Sequence, residues 1–185
     1  IIYLVIDKEV DDIIFDQNEL NHQSLKRQNS LKRINQSYNY MLRGIKDALD
    51  DDLIILSDND EIPNLDSKEF KNSTKELFIF KQLFFYYKFD LLYDLVPWFG
   101  SKACKRKKLI SFQWLRNIKN KEYPIWRVDT YFSNLKHNNL KIINDGGWHF
   151  TNIKSPSDLF IKMKNFGHHD EFDVSLSNND IEELN

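Results

Sequence analysis

The sequence predicts a single α/β domain of three layers, with helices on both faces of a mostly parallel central sheet. Three observations lead to that class. Ile1 to Ile6 is an almost wholly apolar, β-rich run, of the kind that lies in a sheet covered on both faces. A helical pattern from Ser24 to Leu49 follows, and then a second apolar run, Leu53-Ile54-Ile55-Leu56. Strand, helix and strand in that order form a right-handed parallel unit, the building block of open α/β sheets.

The elements follow in order. In the helical stretch Leu31, Ile34, Tyr38, Met41, Leu42, Ile45 and Leu49 recur every three or four residues, so one stripe can face a sheet. Gly44 weakens that pattern by about 1 kcal/mol relative to alanine without ending it. Pro63 stops the second strand from continuing. A short helix is expected between Asp66 and Phe80, with Ser67 or Ser73 as its cap. The aromatic stretch from Leu77 to Trp98 favours a strand in part, with a helical segment near Leu83 to Phe89 as the alternative. Leu109 to Arg116 fits a strand or a short helix, Glu122-Tyr123-Pro124 a turn, and Lys141-Ile142-Ile143 a short strand. Ser155-Pro156-Ser157-Asp158 opens a last helix that runs to Gly167. Residues 1–174 form the domain and residues 175–185 a polar, acidic tail.

Length and composition narrow the function. The 185 residues allow one domain with a substantial core. A net charge of -2 provides no general attraction to nucleic acid or to an anionic membrane, and no apolar run reaches the length that spans a bilayer. Cys104, the single cysteine, excludes an internal disulfide and reads as a buried or incidental thiol. The five basic residues between Lys102 and Lys108 read as a solvated loop, or as a patch that steers an anionic ligand.

The chemistry gathers where the second apolar run opens into Ser57-Asp58-Asn59-Asp60-Glu61. Ligands of open α/β sheets bind at the carboxyl ends of the strands. Asp58 and Asp60, one residue apart, can approach one Mg²⁺ or Mn²⁺, whose shell a diphosphate completes. Taken alone, the pair serves equally well as a solvated acidic turn. Glu61 is a candidate for supporting the ligands or binding substrate.

The segments Met41-Leu42-Arg43-Gly44-Ile45-Lys46 and Asp51 to Pro63 resemble glycosyltransferase family 17. That family includes the β-1,4-mannosyl-glycoprotein β-1,4-N-acetylglucosaminyltransferases. Asn144-Asp145-Gly146-Gly147-Trp148-His149-Phe150 resembles the family's Gly-Trp-His-Phe segment, and Phe166 to Phe172 its final motif, with departures at Gly167, His169 and Asp170. The likeness extends from Ile1 to about Glu171.

The resemblance implies a GT-A-like domain whose first strand would precede Ile1. It implies an inverting, metal-dependent transferase that moves a sugar, GlcNAc from UDP-GlcNAc in the first instance, onto a glycan hydroxyl in a β linkage. Its cofactor would be Mn²⁺ or Mg²⁺, its donor a UDP-sugar, and its acceptor a glycan or glycoconjugate. Asp58, Asp60 and His149 are then the expected metal ligands, although His149 can instead be a hydrogen-bonded residue of an aromatic loop. Asp58, Asp60, Arg43, Trp148 and His168 are candidates for contacting the nucleotide sugar. Arg43, Arg116 and Arg127 can counter phosphate charge or form ordinary ion pairs. Asp145 is the first candidate for the base that deprotonates the acceptor; Glu61, Asp129 and Glu171 are the others. The alternative from another class is a non-catalytic carbohydrate-binding or scaffolding domain derived from a transferase fold.

Overall fold

The computed structural model describes residues 2–14 and 19–165. It is a mixed α/β structure whose residues fall into two compact units. One comprises the described parts of 1–40 and 154–185; the other is Met41–Ile153.

In the first unit, helix α1 (Glu19–Met41) is joined by the chain that precedes it. Arg33 donates to both carboxylate oxygens of Glu9, at 3.0 and 2.9 Å, and the Gln36 amide donates to the Lys8 carbonyl at 3.0 Å. The Asn29 side chain is buried and satisfies the backbone of Ile14 twice, at 3.2 and 2.8 Å. Residues 2–6 form no strand, and Ile2, Tyr3, Leu4, Val5 and Ile6 are all exposed, which corrects the expectation of a buried strand there. An apolar run becomes a buried strand only where a neighbouring strand takes its backbone groups. The helix is also shorter than its pattern. It gives way at Leu42–Ile45 to one 3₁₀ turn that contains Gly44, and Leu31, Ile34 and Leu49 of the expected stripe are exposed while Tyr38 is buried.

The second unit holds a six-stranded sheet: β1 (Leu53–Leu56), β2 (Glu61–Pro63), β3 (Leu77–Tyr86), β4 (Trp98–Lys105), β5 (Leu140–Ile143) and β6 (Gly147–Thr151). The neighbour order is β1-β4-β3-β6-β2, with β5 also on β3. β4 runs antiparallel between β1 and β3, and β2 antiparallel to β6, whereas β5 and β6 are parallel to β3. The sheet is therefore mixed. β1, β3, β5 and β6 share a direction, and β5 and β6 are direct parallel neighbours of β3, but the reversed β4 separates β1 from β3 and β2 runs against β6, so the sheet is mixed where the sequence predicts a mostly parallel one.

β3 organises the sheet. Its first half pairs with β5 from Leu77↔Leu140 to Phe80↔Ile143, and its second half with β6 from Leu83↔Trp148 to Tyr86↔Thr151. An irregularity opposite β4 falls at the end of the first half, between Ile79 and Lys81. The first half is buried on both faces. Phe78 and Phe80 pack with Ala103, Ile143 and Ile55 against Phe70 of the one-turn helix α2 (Lys68–Lys71). The Phe70 ring meets the other two at 4.9 and 5.4 Å. Helix α3 (Phe112–Asn117) packs on β1 and β4 and buries Phe112, Trp114 and Leu115. Its cap is local: the Ser111 hydroxyl accepts the Trp114 N–H at 3.0 Å. Helix α4 (Pro156–Asn165) begins where the sequence places it. No helix among the described residues is long and apolar enough to cross a membrane.

Candidate functional site: an acidic turn, a stacked histidine and an arginine

The site begins at the carboxyl end of β1. After Leu56 the chain turns through Asp58 to Asp60, and the Glu61 N–H closes the turn on the Asp58 carbonyl at 3.1 Å. β2 starts at Glu61 and pairs with β6, setting Glu61 opposite His149. His149 also pairs with Phe84 of β3, so one residue of β6 links the acidic turn to the centre of the sheet.

Glu61 is buried, and its carboxylate braces the turn. One oxygen accepts the Trp98 indole N–H at 3.1 Å; the other accepts the Ser101 hydroxyl at 3.1 Å and the Asp58 N–H at 3.3 Å. Ser101 lies 2.7 Å from the Ser57 hydroxyl and accepts the Gln82 amide at 3.2 Å. Three donors on two oxygens fix the orientation of this buried carboxylate. Gly100 lies under this network: a Cβ there would fall 1.9 Å from Gln82 Oε1 and 2.7 Å from Glu61 Oε1.

His149 is buried in a sandwich. Trp98 stacks on it at 4.3 Å with planes 12° apart, and Phe84 at 4.9 Å and 24°. Its Nε2 faces Asp60 Oδ2 at 3.5 Å. Its Nδ1 is buried and has no hydrogen-bond partner among the described residues. Asp58 faces a different neighbour: Arg116 Nη1 donates to its two carboxylate oxygens at 3.1 and 3.0 Å. Arg116 stands on the last turn of α3, and Lys102 of β4 ties that turn down, its ammonium donating to the carbonyls of Arg116 at 2.7 Å and Ile118 at 2.8 Å. Burial, and then the charge of Arg116, lowers the Lys102 pKa to about 8, against a smaller opposing pull from Glu61. A cavity of about 170 Å³ opens here, lined by Leu56, Glu61, Trp98, Gly100, Lys102 and Arg116 among others.

The metal expectation can be tested on these atoms. Asp60 and His149 offer one oxygen and one nitrogen facing each other at a separation too long for a strong hydrogen bond, a pair that suits Mn²⁺. A ligating histidine normally donates its other N–H, and Nδ1 has no acceptor among the described residues, which is a mismatch. Among the described residues no three His, Cys, Asp or Glu side chains group closely enough to hold an ion, since Asp58 is turned to Arg116. With Asp58 held by Arg116, Asp60 and His149 present two protein ligands to a cation, and a third carboxylate becomes available only where Arg116 gives Asp58 up; a diphosphate would complete the shell.

Other expected site residues lie elsewhere. Asp145 accepts from Asn64 at 2.9 Å at the far end of the β2–β6 pair, roughly 13 Å of extended backbone from Asp60. Trp148 belongs to a strand rather than a loop and alternates to the face opposite His149, where it forms an exposed row with Ile62 and Leu83. Arg43 is exposed on the 3₁₀ turn Leu42–Ile45. Arg127 and Lys136 both hold Asp129, whose carboxyl these bonds lower to about 2. His168, Glu171 and the segment from Phe166 to Phe172 lie outside the described residues. Trp98, Ser101, Gln82 and Lys102 enter the site without having been singled out individually; the available signal was a polar residue interrupting an apolar strand, as Gln82 does in Leu-Phe-Ile-Phe-Lys-Gln-Leu-Phe-Phe-Tyr.

The site thus belongs to a mixed α/β domain with acids at a strand end, a stacked histidine beside one of them and an arginine on the other. No protein-family model, no curated protein and no solved structure matches the chain.

Proposed function

We propose that the turn from Ser57 to Glu61, together with His149, forms the donor site of a metal-dependent, inverting glycosyltransferase of GT-A-like type. It would move a sugar, GlcNAc from UDP-GlcNAc in the first instance, to a glycan hydroxyl in a β linkage. The observation that carries this reading is the approach of His149, from a distant strand, to within 3.5 Å of Asp60 at the end of β1. This is the meeting that the likeness of Asp51 to Pro63 and Asn144 to Phe150 to family 17 implies.

In this reading Asp60 and His149 hold Mn²⁺ or Mg²⁺, with Asp58 as a further ligand. Such a cation neutralises the charge of a departing diphosphate. Glu61 keeps the turn in shape through Trp98 and Ser101, and the stacked rings of Trp98 and Phe84 fix the histidine plane. Lys102 and Arg116 contribute positive charge along the cavity.

A second reading, a non-catalytic carbohydrate-binding or scaffolding domain, draws on the engagement of both first candidates for the base. Glu61 is consumed as a brace and Asp145 lies at the far end of β2.

The test is calorimetric titration of the chain with UDP-GlcNAc, UDP-galactose and GDP-mannose, with and without Mn²⁺. The expected result is Mn²⁺-dependent binding of one UDP-sugar that Asp60→Ala abolishes. Glycan binding by a folded chain that ignores both Mn²⁺ and the Asp60 substitution would instead establish the second reading.

A further inference from the structure

Arg116 meets the acidic turn at Asp58 from a fixed base. Its backbone is anchored on both sides: Ser111 caps the start of α3, Leu115 is fully buried, and Lys102 binds the carbonyls of Arg116 and Ile118. Any movement of its charge must therefore come from side-chain torsions. One of its partners is the Asp58 carboxylate, both oxygens of which it engages through Nη1. Side chains of this pair are 45% and 41% exposed, so the contact is open to exchange. The same arginine lines the cavity with Lys102 and Glu61.

We infer that Arg116 is an exchangeable counter-ion: it occupies Asp58 until a divalent cation takes that carboxylate, and it then binds the diphosphate that accompanies the cation. The inference rests on the proposed donor site and assigns its phosphate contact. A guanidinium and a metal ion compete for the same two oxygens, so both cannot hold them fully. Charge supports the exchange. Asp58 and Asp60 together balance one divalent cation, and the two negative charges of a nucleoside diphosphate sugar are then matched by Arg116 and Lys102. Glu61 adds no unmet demand, because Trp98, Ser101 and the Asp58 N–H already serve it. The planar guanidinium suits phosphate oxygens as well as it suits a carboxylate.

The experiment measures two affinities in the full chain: for Mn²⁺ alone, from the electron paramagnetic resonance signal of the free ion, and for UDP at saturating Mn²⁺, by calorimetry. In Arg116→Met, Mn²⁺ should bind about two- to fivefold more tightly, because an exposed competitor has been removed. UDP should bind at least about tenfold more weakly. Arg116→Lys should recover part of the UDP affinity and lose the gain for Mn²⁺. If Arg116→Met does not fold, Arg116→Gln carries the same test.

Unchanged or weaker Mn²⁺ binding in the folded variant, or unchanged UDP binding, overturns the exchange. Where wild-type Mn²⁺ binding persists and Asp58→Ala weakens it, that result removes the exchange alone. Absence of Mn²⁺ binding in both wild type and variant removes the proposed donor site and the exchange together.

Discussion

Single residues at the site are positioned by burial as much as by charge. Lys102, which lines the cavity with Leu56, Trp98 and Gly100, is buried and spends two of its donors on the end of α3. Its pKa of about 8 lies below the ordinary 10.5, so the charged form costs folding energy. That cost is fully present below pH 8 and is relieved as the pH rises from 8 towards 10.5, because only the unfolded chain then holds the proton. Wild-type stability should accordingly rise relative to Lys102→Met across that window, by on the order of 3 kcal/mol at its upper end. Urea unfolding of both proteins at pH 7 and pH 10 measures it. Cys104 is the contrasting buried residue: it is fully enclosed, and burial raises its thiol to about 12, which leaves it no thiolate for chemistry near neutrality.

At the scale of elements, strands were legible in proportion to how little of the site they carry. β1, β3 and β5 announce themselves as apolar runs, because each buries about half of its residues in the core. β4 and β6 do not. In β4 the apolar pattern is broken by Gly100, Ser101 and Lys102, and in β6 by Gly147 and His149, the residues that build the cavity and the histidine shelf. The acidic turn was readable because its acids are adjacent in sequence. Trp98, Ser101 and Arg116 reach it from later elements whose register and packing no local pattern records. The opposite error occurred at residues 2–6, where apolar character was clear and the strand partner it required was not among the described residues.

The β2–β6 pair depends on one backbone conformation. Gly147 has φ of 104°, and a Cβ there would lie 2.0 Å from the Ile62 carbonyl oxygen and 2.7 Å from the Asn64 nitrogen. Gly147→Ala should therefore destabilise the fold by about 2–4 kcal/mol and weaken Mn²⁺ binding in parallel, since the same pair sets His149 opposite Glu61. Thermal unfolding and the Mn²⁺ titration on one preparation check both effects.

At the scale of the molecule, the buried apolar residues among those described belong to Met41–Ile153 with one exception, Tyr38. A piece comprising those residues should unfold as one cooperative transition without the remainder of the chain, as differential scanning calorimetry would record. All side chains of the candidate donor site described here fall within it.

One consequence concerns engineering. Asn-Asp-Gly-Gly at 144–147 has the composition of a tolerant surface turn, the sort chosen for inserting a peptide or opening new termini. It is in fact a seam: Gly146 donates to the Lys81 carbonyl at 3.0 Å, and a Cβ on it would lie 2.4 Å from that oxygen, at the point where β3 exchanges one parallel neighbour for the other. Lengthening the chain there would shift β6 along β3 and move the histidine off the acids. The exposed stretch around Trp126 and Phe132, which belongs to no strand, is the better place for a graft.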